Sequence, residues 1–230
     1  MKEKHPSAKT IHNVCGSWNK AKEEAGLEII PKSLDHDLDY FREIDRETSY
    51  WLGFICADGY IATDPTKLEI QLAEKDQHHI ELFQKHIGST HAINRKLSGK
   101  GIMCSHVQIG VERFADPLLE IFGEDKTFSD SIPELSEDLN CHFVRGIFDG
   151  DGHARPEKKK ICITGHGPRL EKVSDLIPVE TSVDYSDHIP TEDLAVLRAY
   201  GDSATKMANW MYPERKDTEP KLDRKFPKWF

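Results

Sequence analysis

Two nine-residue stretches of nearly the same design stand in this chain, and any fold has to seat both. W-L-G-F-I-C-A-D-G runs from Trp51 to Gly59, and V-R-G-I-F-D-G-D-G from Val144 to Gly152. Each carries a Gly, a second small residue four positions on, and then Asp-Gly. The first copy gives Gly53, Ala57, Asp58 and Gly59; the second gives Gly146, Gly150, Asp151 and Gly152. Such a repeat indicates two related halves built around a shared centre. Residues four apart share a helix face. Small residues there remove the side chains that hold two helices apart, so Gly53, Ala57, Gly146 and Gly150 form a candidate helix interface. Thr48 or Ser49 is a candidate N-cap for the first helix, and Ser136 or Asp138 for the second. Gly59 and Gly152 are expected to end the helices in a left-handed conformation.

In that arrangement Asp58 and Asp151 lie side by side at helix C-termini. Each carboxylate then faces the negative end of a helix dipole and a like charge. Such a conflict needs compensation, and a hard divalent cation supplies it. Mg²⁺ is held by one or two carboxylates plus phosphate and water, which makes this a site for metal-assisted phosphoryl chemistry. The run Asp149-Gly-Asp151-Gly also fits the start of a calcium loop. Position twelve of that loop is Lys160 rather than Glu, which argues against it.

Both stretches resemble the LAGLIDADG motif of homing endonucleases, the second closely. The resemblance runs over roughly residues 46 to 230. It includes L-E-I-Q-L-A-E-K-D-Q after the first motif, Y-G-D-S-A-T-K-M-A-N-W-M-Y, and L-D-R-K-F near the end. The eighth motif residue is the family's metal-binding acid, which maps onto Asp58 and Asp151; the backbone of Ala57 and Gly150 is a candidate addition to the metal site. The sixth position is Asp149 in one copy and Cys56 in the other. The resemblance implies a Lys after the last helix of each half, for which Lys126 and Lys225 are the candidate catalytic residues. It also places Glu74 where some relatives position water. The implied activity is site-specific, Mg²⁺-dependent hydrolysis of double-stranded DNA, with staggered cleavage across the minor groove leaving short 3′ overhangs. The implied partner is DNA, bound by a monomer with internal pseudo-two-fold symmetry. The same fold also serves catalytically inactive DNA-binding proteins and RNA maturases, and that alternative stays open. Met1 and Trp229-Phe230 do not match intein junctions, so a free-standing or intron-encoded enzyme of a mobile element is expected, with an excised domain as the alternative.

A net charge of −9 over 230 residues argues against a uniformly basic DNA-binding surface. The distribution is uneven, however. Acids crowd residues 35–47 and 112–138, whereas 87–110 holds Arg95, Lys96 and Lys100 with no acid. Arg155 with Lys158, Lys159 and Lys160 forms a second basic cluster, and residues 215–228 a third. No stretch approaches the roughly 18–20 apolar residues of a membrane helix, and there is no signal-peptide pattern. A soluble, cytoplasmic protein with no membrane partner is expected. Five cysteines without a C-x-x-C pair, and histidines without a complete ligand set, speak against disulfides and structural zinc.

Four segments are expected. Residues 1–28 resemble the helix-turn-helix-like repeat often appended to homing endonucleases, with Ile11, Val14, Trp18, Ala21 and Ala25 on a two-helix face and Gly26 ending the second helix. Residues 29–45 read as a linker, 46–125 as the first half and 126–230 as the second. The fold class is α+β: two pseudo-symmetric αββαββα halves with curved antiparallel sheets. Leu68, Ile70 and Leu72 alternate with Glu69 and Gln71, as in a half-buried strand. In the fold the resemblance implies, the exposed sheet faces meet the DNA major groove. Candidate contacts there are Glu69, Gln71, Arg95, Lys96, Lys100, His106, Gln108, Arg155, Lys158 and Lys160, whose side chains suit base edges or phosphates.

Overall fold

The computed structural model describes residues 10, 14–15, 18–27, 36–63, 66–110, 112–185 and 193–229. The chain divides into two compact units, residues 1–34 and 35–230. In the first, helix α1 spans Trp18–Glu24. Gly26, at φ 66°, ends it as expected, and the Leu27 N–H turns back to Lys22 O. Val14 and Ala25 are exposed rather than packed on an apolar face. Ile11 and the side chain of Trp18 lie outside the described residues.

The second unit is built twice on one plan. Its first half runs α2 (Arg46–Asp58), β1 (Gly59–Thr63), β2 (Thr66–Ala73), α3 (Gln77–His86), β3 (Asn94–Leu97), β4 (Met103–Ile109) and α4 (Glu112–Phe122). The second runs α5 (Glu137–Asp151), β5 (Gly152–Arg155), β6 (Lys160–His166), α6 (Gly167–Leu176), β7 (Ser182–Tyr185), β8 (Leu194–Tyr200) and α7 (Gly201–Met211). Each half forms a four-stranded antiparallel sheet, ordered β1-β2-β4-β3 and β5-β6-β8-β7. The αββαββα order and α+β class agree with the sequence reading.

Strand alternation separates core from surface. In β2, Leu68, Ile70 and Leu72 are buried, while Lys67, Glu69 and Gln71 face outward. In β6, Ile161 and Ile163 fill the inner side. The helices cover those inner faces and complete one continuous apolar core. At its centre α2 and α5 are buried on all sides, Thr48 through Cys56 and Cys141 through Asp149. A helix enclosed this way belongs to the middle of a layered domain rather than to its surface.

Two local expectations are corrected. Helix α2 is capped by Asp45, whose Oδ1 accepts from the Thr48 N–H at 2.8 Å, so Thr48 and Ser49 lie inside the helix. Ser136 does occupy the N-cap of α5, but without a side-chain cap bond. Gly59 and Gly152 are extended (φ −79° and −87°), not left-handed. They are the first residues of β1 and β5, and the demand for Gly there is one of space. A Cβ at Gly152 would lie 2.3 Å from the Phe148 ring, and one at Gly59 2.7 Å from Ile55 O. Within the stretch read as a linker, residues 36–45 pack against the first half. Phe41 is buried, Asp37 N–H donates to Ile87 O, and Arg113 pairs with Asp39.

Candidate active site at the paired helix ends

The α2–α5 seam is backbone against backbone. A Cβ on Gly53 would stand 2.0 Å from Phe143 O, one on Gly146 2.0 Å from Tyr50 O, and one on Gly150 2.4 Å from the Ala57 Cβ. All four interface residues read from the repeat therefore lie in the crossing. The crossing brings the two helix C-termini together, and Asp58 and Asp151 are the last residues of those helices. Asp58 leans over its neighbour: its Oδ2 would be 3.4 Å from a Cβ on Gly150.

Both carboxyls are pushed above the usual range. Burial is the main cause for Asp58, opposed by Lys225 and then Lys126. Burial followed by the charge of Asp58 lifts Asp151 to about 6. Asp151 still keeps a solvent-exposed edge, so only part of that shift translates into folding energy.

Each helix end is held by one lysine. Lys126 Nζ donates to Ile55 O, Cys56 O and Ala57 O at 2.9, 2.8 and 3.3 Å. Lys225 Nζ donates to Gly150 O at 2.9 Å and to Gly152 O. The bonds to Cys56 O, Ala57 O and Gly150 O reach carbonyls in the last helical turns, where acceptors lack helix partners, and all place positive charge at the negative dipole end; Ile55 O also accepts from the Gly59 N–H. Burial lowers the pKa of both lysines. The charges also interlock across the seam. Lys225, at the end of α5, is the larger lysine influence on Asp58, and Lys126, at the end of α2, is the larger on Asp151.

Among the described residues no group of three His, Cys, Asp or Glu gathers as a metal cluster. The helix-end donors not engaged by the lysines are the two carboxylates; the Ala57 and Gly150 carbonyls, candidates from the sequence, each accept from a lysine ammonium. The crowded carboxyls and small ligand number fit Mg²⁺ with phosphate and water completing the shell. Glu74 instead faces Arg95 at 3.1 Å.

The two motifs differ at their sixth residue. Cys56 is buried, and burial raises its thiol pKa. Asp149 is fully buried and accepts from Tyr50 Oη (2.9 Å), Tyr212 Oη (2.7 Å) and the Leu222 N–H (2.7 Å). The Tyr50 proton is committed to Asp149, so its contact with His79 Nε2 at 2.9 Å is donated by the histidine. Arg145, also fully buried, lies against the rings of Tyr50 and Tyr212 and donates to Met211 O and Pro220 O. The sequence carried no local signal for this network, because its members come from four separate segments.

The outward sheet faces hold most of the candidate DNA contacts. Register sets Glu69 beside Gln108 and Gln71 beside His106, with Asn94 next along the row. Tyr60 pairs with Glu69 and is exposed, and Lys96 Nζ meets Glu69 Oε1 at 2.6 Å. Arg95 departs from the set. It pairs with buried Ser105 and so belongs to the opposite face of an edge strand; consecutive strand residues cannot share a face. On the second sheet, Arg155 pairs with Lys160, which lies 4.8 Å from the Tyr200 ring centroid, and Arg198 pairs with Asp184. His153, Arg198 and Tyr200 share that face and were not among the sequence candidates. Lys100 and Lys158 sit in exposed turns.

Two similar halves, a tight two-helix seam and a carboxylate at each helix end define the LAGLIDADG homing endonuclease fold, and this chain has it. It is similar to the homing endonuclease I-WcaI bound to its DNA recognition sequence, with a TM-score of 0.57 at 15% identity over 89% of this chain and 96% of that one. It is also similar to a variant of I-DmoI in complex with its target DNA in the presence of 2 mM Mg, at 0.50 and 14% identity over 71% and 93%. Full-length DUF199/WhiA from Thermatoga maritima matches at 0.50 and 14% identity, over 76% of this chain and 56% of that one. No family model and no curated protein matches the sequence. No helix among the described residues is long and apolar enough to cross a membrane.

Proposed function

We propose that this chain is a site-specific endonuclease that hydrolyses both strands of double-stranded DNA with Mg²⁺, acting as a monomer with two pseudo-symmetric halves. The observation that carries the reading is the pair of crowded carboxyls at abutting helix ends, with one lysine at each end. Asp58 and Asp151 hold the cation, with the Ala57 and Gly150 carbonyls beside them. When bound, Mg²⁺ supplies charge stabilisation at the scissile phosphate and lowers the pKa of water. Lys126 and Lys225 keep the helix ends neutralised and offer positive charge where phosphate oxygens approach. The outward faces of the two sheets bind the duplex, with the more basic second sheet contributing Arg155, Lys160 and Arg198. That I-WcaI and I-DmoI are described on DNA supports the partner, and I-DmoI in the presence of Mg supports the metal.

A second reading is DNA binding without cleavage, since the fold is shared with DUF199/WhiA, which is not described as an endonuclease. Incubation with a randomised-site plasmid library separates the two. A nuclease linearises a subset of sites with Mg²⁺ and none with a chelator. A binding protein retains DNA on a filter and leaves it uncut.

A further inference from the structure

The two motifs disagree at position six, Cys56 against Asp149, and the proposed reaction uses neither. Their surroundings show what the difference does. Lys126 follows α4 closely in the chain, and its own carbonyl accepts from Arg169 of α6. The first lysine's segment is therefore held by Arg169, which also lies against the Cys56 thiol. Lys225 lies in a tail with no regular helix or strand, beyond α7 and the short 3₁₀ turn Arg215–Asp217. Something must fix that tail before its lysine can find the end of α5.

Asp149 is the group placed to do so. Its Oδ2 takes the Leu222 N–H at 2.7 Å, three residues before Lys225, and its Oδ1 takes the Tyr212 hydroxyl where the tail begins. From Leu222 the chain makes one tight turn, Lys225 N–H donating to Leu222 O at 2.8 Å, and Lys225 Nζ arrives at Gly150 O. Gly150 is the residue next to Asp149, so the carboxylate and the lysine it sets lie on one helix end. Arg224 adds a second clamp, its Nε 2.8 Å from both oxygens of buried Asp76. We propose that Asp149 is a positioning residue for Lys225: it pins the tail at Leu222 and Tyr212 so that the ammonium meets the end of α5 beside Asp151. The consequence for catalysis rests on the nuclease reading; the pinning does not.

The test places at position 149 the residue found in the other motif. Asp149→Cys keeps a small buried side chain that the pseudo-equivalent position already tolerates, and Asp149→Asn keeps one acceptor oxygen. In the metal-free protein, hydrogen exchange at Leu222 and Lys225 should accelerate about 10- to 100-fold in Asp149→Cys, with protection of α2 and α5 retained. Asp149→Asn should fall between. On DNA, kcat should drop about 10- to 100-fold, the scale of a misplaced group near the chemistry, with KM unchanged and nicked circles accumulating. In a Lys225→Met background the same substitution should cause no further loss of kcat, because it acts through that lysine. Unchanged exchange at Leu222 in Asp149→Cys overturns the proposal, as does an equal loss of kcat with and without Lys225. If Asp149→Cys does not fold, Asp149→Asn carries the same cycle. A wild-type protein that cuts no DNA refutes the nuclease reading alone, since the exchange experiment still decides the pinning.

Discussion

Gly146→Ala places structure and intrinsic helix propensity in opposition. In an isolated helix this change is favourable by about 0.5–1 kcal/mol, because Ala loses less backbone freedom on folding. In the α2–α5 seam the new Cβ would lie 2.0 Å from Tyr50 O, 2.6 Å from Phe54 N and 3.0 Å from the Gly53 carbonyl carbon. A carbon–oxygen contact normally closes no further than about 3.3 Å, so the helices must part by more than ~1 Å. All three obstacles are backbone, and no side chain can rotate away. Overpacking of a core costs typically 1–3 kcal/mol and more where nothing yields. We expect a net loss of about 3 kcal/mol in urea denaturation of the metal-free protein. At this chain length that lowers Tm by roughly 6–12 °C. Gly110→Ala, where a Cβ meets nothing within 4 Å, is the control and should stay within about 0.5 kcal/mol. A Gly146→Ala protein as stable as the parent, or more so, would refute the close crossing and the juxtaposition of Asp58 and Asp151 that depends on it.

Asp58→Asn and Asp151→Asn should each abolish double-strand cleavage while DNA affinity, read by fluorescence anisotropy, changes less than about threefold; full cutting by either variant rejects its role. Asp151 has a native pKa of about 6 against 3.8 unfolded, so the native state binds more protons between those values and metal-free stability falls as pH rises through that window. Asp151→Asn should therefore gain stability relative to the parent between pH 4 and 6, and a constant difference across that range would contradict the burial argument. Lys126→Met should slow cleavage and expose unpaired carbonyls at the end of α2, lowering stability by about 1–3 kcal/mol; an unchanged denaturation curve would count against the three bonds from its ammonium. Arg198→Ala should weaken DNA binding and reduce the slope of log K against log salt by about 1, whereas an unaltered slope would remove the second sheet face from the interface at that position.

What could be read from the sequence divides by distance along the chain. Gly53, Ala57, Gly146 and Gly150 were legible as an interface because a helix turns a local spacing into a face. Asp58 and Asp151 followed from being the residues at the ends of that face. Lys126 and Lys225 came from the family resemblance, since nothing local marks a lysine that reaches a helix end some seventy residues away. Asp149 was visible only as a mismatch with Cys56, because its partners Tyr50, Tyr212 and Leu222 come together only on folding. Arg95 lies on the opposite face from Lys96 because strand neighbours alternate sides, which the composition of a basic pair does not reveal. Residue type does not single out Asp45 as the cap, because Thr48 and Ser49 are equally good cap types and sit closer to the apolar run.

The seam between α2 and α5 joins two tasks in the same atoms, since the contact that holds the halves together also sets the separation of the carboxylates. Drift in those residues would damage folding and chemistry together, so the seam can change only slowly. The outward sheet faces are under no such constraint: Tyr60, Gln108, Lys160 and Arg198 can be exchanged with little effect on the packing beneath them. On the proposed nuclease reading, a chain of this architecture can therefore acquire new target sequences residue by residue on the sheets while the carboxylate geometry at the seam stays fixed.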